Sequence, residues 1–172
     1  MEFTEETWLQ NVDEAIKSAR MHGRQDIADY ILLKTSNDEI REKSVKWLIE
    51  TVTEIAFAFN KHGARIKVEQ NSDHRFQNKS AKLTGARLKL KQGVRCLTLE
   101  AGWTRNPGDG IMSGGALVFA RFTHFGFPKA TEELVLLRYE DKPQWFSVDG
   151  ERNRISFEAK DLRKHFEVFF FN

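Results

Sequence analysis

At Gly63 the spacing of apolar residues changes, and that change constrains the fold more than any other feature of the chain. Before it, Ile40, Val45, Leu48, Ile49, Val52, Ile55, Ala56 and Phe59 recur as one stripe with the period of a helix, about 3.6 residues. After it, Ala64-Arg65-Ile66-Lys67-Val68-Glu69 alternates apolar and charged, and so does Ala86-Arg87-Leu88-Lys89-Leu90-Lys91. A period of about 2 is that of a strand with one face buried. Short polar turns, Gln92-Gly93, Asp141-Lys142-Pro143 and Asp149-Gly150, separate the later apolar runs. Parallel strands need a crossover of a dozen or more residues, so neighbours joined this way are antiparallel. The expected fold is α+β. N-terminal helices, one of them long, pack on an antiparallel sheet of about six or seven strands, and a C-terminal helix closes the chain. The expected organisation is one domain over residues 1–172, helical over 1–62, sheet over 63–157 and helical again over 158–172.

Local signals set the expected ends. Thr4 is a candidate N-cap, with Glu5 and Glu6 in the first turn, where the helix dipole favours anions. Trp8, Leu9, Val12, Ile16 and Ala19 form the buried stripe of that helix, and Gly23 ends it. A second helix is expected over 25–34. Ser36 and Glu39 read as a capping box that starts a third, which Gly63 ends. Strands are expected at 64–69, 86–91, 94–103, 116–125, 133–140, 144–148 and 153–157, with polar loops over 70–82 and 104–115.

Composition excludes several classes. Gly and Pro are too few for a disordered or collagen-like chain. No apolar run approaches the roughly 20 residues of a spanning helix, so no membrane partner is expected. Met1 to Glu6 lacks the basic start and apolar stretch of a signal peptide. The only cysteine, Cys96, cannot close an internal disulfide, so a reducing, cytoplasmic setting is expected. No HExxH, CxxC or other ligand spacing occurs, and neither metal nor cofactor is expected. The glycines of the 104–115 segment fit neither phosphate-binding pattern, GxxxxGK[ST] or GxGxxG.

Charge is unevenly spread. Residues 61–95 carry 10 bases and 2 acids, net +8, whereas residues 1–60 are net −5 and 96–172 net −1. In the two alternating strands the bases share one parity. Arg65, Lys67, Arg87, Lys89 and Lys91 therefore stand opposite the apolar set, with Arg95 nearby. Such a face fits a polyanion, nucleic acid included, or an acidic partner. It also fits a solvated edge whose charges block aggregation, which is the more routine use of charged edge strands. No aromatic residues interleave with the bases, which disfavours stacking on single-stranded bases.

Two further readings come from other residues. Glu100, Trp103, Arg121, His124 and Arg138 interrupt or flank apolar runs and are candidates to line a ligand or reaction pocket beside the 104–115 loop. No nucleophile–base pair accompanies them, so binding is expected rather than catalysis. His22 and His62 sit at helix ends, and His165 reads as packing or surface. Cys96 reads as a buried structural thiol. Three consecutive phenylalanines, Phe169 to Phe171, cannot all turn inward on one helix, which points to a homodimer through that end.

Overall fold

The structure, a computed structural model, describes the backbone of residues 5–171 and the side chains of residues 10–171. The candidate cap Thr4 and the side chains of Trp8 and Leu9 lie outside the described residues. The chain forms two compact units, one running to Glu42 and the other from Lys43 to Asn172. The division falls inside a helix, well before the change of period at Gly63.

The first unit contains helix α1 (Glu5–Met21) and the beginning of helix α2 (Gln25–Lys61). Ile16, Ala19 and Ala28 are its buried residues, with Val12 and Ile31 packed against them. Gly23 turns the chain at φ 71°, which lets Arg24 N donate to Ala19 O (2.8 Å) and Gly23 N to Arg20 O (3.2 Å). This bond pair satisfies the orphan carbonyls of the helix end. The His22 ring adds a bond from Nδ1 to Ser18 O at 2.7 Å.

The expected break at Ser36 does not occur; α2 is continuous from Gln25 to Lys61. No Gly or Pro stands between Lys34 and Glu39, and Ser and Asn cost only tenths of a kcal/mol inside a helix. Asp38 pairs with Arg41 at 2.8 Å, three residues on, rather than serving a new helix start. A capping box acts only where the backbone leaves the helix, and here nothing forces it to leave.

The second unit is a seven-stranded antiparallel sheet in strict chain order. Its strands are β1 (Lys67–Asn78), β2 (Ala81–Gln92), β3 (Arg95–Trp103), β4 (Val118–His124), β5 (Glu132–Tyr139), β6 (Lys142–Val148) and β7 (Arg154–Ser156). The second half of α2 and a final helix, α3 (Arg163–Phe171), pack on one face. The protein is thus an α+β fold with three helices among the described residues.

Two expectations about the strands are corrected. Residues 70–82, read as a polar loop, are mostly strand: β1 continues to Asn78, and Lys79 with Ser80 turns into β2. Their polarity marks a solvent-facing edge strand, not a loop. Residues 64–66 lie outside β1, and Arg65 sits at φ 57°, rare for a residue with a Cβ. Ile66 is instead clamped by Asn60, which accepts from its N at 2.6 Å and donates to its O at 2.8 Å.

In β2 to β5 side chains of one parity are buried: Leu88, Leu90, Leu97, Leu99, Ala101, Val118, Ala120, Phe122, Leu134 and Leu136. On this closed face lie Val45, Leu48, Ile49, Val52 and Ala56 of α2 and Leu162, Phe166 and Phe169 of α3. Phe59 stacks on Phe166 at 5.6 Å and ties the two helices together. The other parity forms an open face of half-buried side chains.

Candidate functional site

Register assigns each candidate residue to a face. Lys67 is opposite Lys91, Glu69 opposite Lys89 and Asn71 opposite Arg87. Next in β3 come Cys96, Thr98 and Glu100, then Thr123 and Arg121 of β4. Lys67, Arg87, Lys89 and Lys91 therefore share the open face over two adjoining strands. Arg65 precedes the strand. Arg95 belongs to the opposite parity, where its Nη1 donates to Phe170 O near the end of α3.

The five bases on the open face (Arg121 included) differ in how they are engaged. Glu69 bonds Lys67 (3.2 Å) and Lys91 (2.9 Å), which holds its carboxyl below the usual carboxylate range. Glu100 accepts from His74 Nε2 at 2.7 Å and Arg121 Nη2 at 2.9 Å. Burial alone would raise the Glu100 pKa, but these two bonds outweigh it and the net shift is downward. Arg87 and Lys89 make no ion pair among the described residues. Beside them stand Asn71, Thr98 and Thr123.

His74 reaches Glu100 from β1 across the intervening β2, and the local sequence explains how. The β1–β2 register shifts between Asn71 and His74, and His74 then faces Gly85, itself paired with Gly102 of β3. Two adjacent positions without side chains leave room for the imidazole. A Cβ on Gly85 would sit 2.0 Å from Ala101 O. His74 stacks on Phe76 (5.5 Å), and Phe76 meets Phe119 at 6.4 Å.

The 104–115 segment lies over that end of the open face. Met112 packs with Ala81, Leu83 and Phe119. Arg105 stacks on Trp103 at 3.7 Å and donates to Thr84 O, while Asp109 accepts from the amides of Arg105 and Asn106. Arg154 of β7 donates to Gly114 O. The segment is fastened at four points.

The proposed pocket residues do not share a face. Glu100 and Arg121 are on the open one, whereas Trp103, His124 and Arg138 have the parity of the closed one. Cys96, read as buried, is half-exposed on the open face, with Sγ 3.7 Å from Thr98 Oγ1.

A second polar cluster, on the closed face, went unnoticed in the sequence. His124 Nε2 lies 3.0 Å from His165 Nδ1, and His165 Nε2 lies 2.5 Å from Glu132 Oε2. Glu132 Oε1 accepts from Lys164 Nζ and Ser147 Oγ, both at 2.6 Å. His165 is buried and stacks on Phe122 at 4.2 Å, so it is neither packing alone nor surface. Burial would raise the Glu132 carboxyl, but the bonds from His165, Lys164 and Ser147 lower it to about 2. Burial and the neighbouring His165 push His124 down to about 4. The signal was present: Glu132 has the parity of Leu134 and Leu136, and His165 shares a helical face with Leu162 and Phe169.

Among the described residues no helix is long and apolar enough to cross a membrane, and no group of His, Cys, Asp and Glu is arranged to hold a metal ion. Comparison with family models, curated proteins and solved structures found no match.

Proposed function

We propose that this protein is a non-enzymatic binding module whose open sheet face takes an anionic partner, a polyanion such as nucleic acid or an acidic protein surface. The observation that carries the reading is the emergence of Lys67, Arg87, Lys89 and Lys91 together on one face of β1 and β2, with Arg87 and Lys89 in no ion pair among the described residues. Unpaired cations beside hydroxyl and amide groups suit phosphate or carboxylate oxygens. Arg87 and Lys89 are the principal contacts, and Lys67 and Lys91 join when an anion displaces Glu69. A cytoplasmic setting fits the free thiol of Cys96. The test is titration of duplex DNA, single strands and heparin into the protein at rising salt. Affinity carried by phosphate contacts falls steeply with salt. No binding of any of the three at low salt overturns the polyanion reading and leaves the acidic protein.

A second reading is favoured by one observation. Phe171 is 81% exposed at the end of α3, and Val94 and Phe125 are 87% and 75% exposed. Apolar rings left in water mark an interaction surface, and a homodimer through this end is the corresponding proposal. Sedimentation mass tests it: a monomer at high concentration contradicts it.

A further inference from the structure

Between β3, β4 and α3 runs a groove of about 400 Å³, lined by Val94, Phe125, Phe127, Val168 and Phe169, with His124 in its wall. Its other polar groups are engaged: Arg95 donates to Phe170 O, and Cys96 O accepts from Phe125 N. His124 differs. The residue is only 6% exposed, its Nε2 is taken by His165, and no hydrogen bond from the described residues engages its Nδ1. Trp145 Nε1 is the one sealed side-chain nitrogen or oxygen without a partner among the described residues. The His124 Nδ1 atom is therefore not sealed in, and the groove is the cavity that His124 lines.

The bonds behind His124 fix what Nδ1 can do. The Glu132 carboxylate accepts, so His165 Nε2–H must donate to it. With one proton on each ring, His165 Nδ1 is an acceptor. His124 Nε2–H then donates to His165, which leaves His124 Nδ1 as a lone pair facing the groove.

We propose that this groove binds a small apolar or aromatic molecule carrying one hydroxyl or N–H donor, which it gives to His124 Nδ1. The apolar walls supply affinity, and the buried acceptor supplies selectivity, because a ligand without a donor leaves it unpaired.

The polarity of the chain can be reversed by one substitution. Lys164 and Ser147 both donate to Glu132 Oε1, so in Glu132→Gln the amide oxygen takes that position and the NH2 faces His165 Nε2. The amide then donates, His165 Nδ1–H donates to His124 Nε2, and His124 Nδ1–H becomes a donor. Equilibrium dialysis at pH 8 with 1-naphthol and 1-methoxynaphthalene reads the difference. The intact protein binds 1-naphthol roughly tenfold more tightly. In Glu132→Gln the preference is lost, because a hydroxyl oxygen and an ether oxygen both accept from Nδ1–H. In His124→Phe, which keeps an apolar wall, the two bind alike. Equal binding of both probes to the unaltered protein overturns the proposal, as does an unchanged order in a folded Glu132→Gln. No binding of either probe, together with a mass that rises with concentration, assigns the groove to a second copy of the chain.

Discussion

Glu132 receives three side-chain donors while almost wholly buried, and it is the kind of residue on which acid stability turns. Its folded pKa of about 2 lies below the ordinary 4.5. The unfolded chain therefore takes up this proton first, and the stabilisation, complete above pH 4.5, is lost as pH falls toward 2. His124, facing His165 of α3 with Glu132 of β5, Lys164 of α3 and Ser147 of β6 behind it, moves in the same direction for a different reason. Its folded pKa is about 4 against 6.5, so the unfolded state is favoured progressively as pH falls through that interval. The loss is on the order of 3 kcal/mol across the window. Urea unfolding between pH 7 and pH 4 will show this slope in the parent protein and not in His124→Phe. Equal slopes in the two contradict the account of a buried neutral imidazole. Glu132 and His165 escaped notice as a site because a lone carboxylate or imidazole on an apolar parity has no spacing motif. Only the packing of α3 on the sheet brings positions 33 residues apart within a hydrogen bond.

Among the elements, the β1–β2 hairpin shows how far pattern alone carries. Alternation in 86–91 correctly separates Arg87, Lys89 and Lys91 from Ala86, Leu88 and Leu90, because period 2 is a property of the backbone. The same rule fails for Arg65, since Asn60 seizes Ile66 and the chain turns at a positive φ before the strand begins. It fails again for 70–82, where an edge strand does not need apolar residues. The long helix was legible in its stripe, but its continuity through Ser36 was not, because a capping sequence offers an end without imposing one. Gly85 carries the clearest consequence at this scale. A methyl group there would meet the backbone of Ala101, which is flexible in neither strand nor ladder. Gly85→Ala will cost roughly 1–3 kcal/mol or more in unfolding free energy. It will also break the His74–Glu100 bond, seen as a changed chemical shift of the His74 ring protons by NMR. An unchanged melting temperature would show that the strands adjust freely.

For the molecule as a whole, the uneven distribution of charge is resolved by the fold into a more moderate surface. The net +8 of residues 61–95 does not become one positive field. Lys61 ends α2, Arg95 goes to the closed face, Arg65 and Lys79 lie in turns, Arg75 and Lys82 take the other parity of β1 and β2, and Glu69 pairs with Lys67 and Lys91. What is left on the open face is the pair Arg87 and Lys89, so the anionic partner proposed above would engage few phosphates or carboxylates rather than a long stretch of backbone. The slope of log affinity for duplex DNA against log salt measures that number directly. If the open face is the binding surface, neutralising Arg87 and Lys89 together to alanine makes the slope shallower by roughly 2, whereas Arg65→Ala leaves it unchanged. A double variant with the parent slope, or Arg65→Ala with an equal loss, contradicts the claim that this face binds the anion.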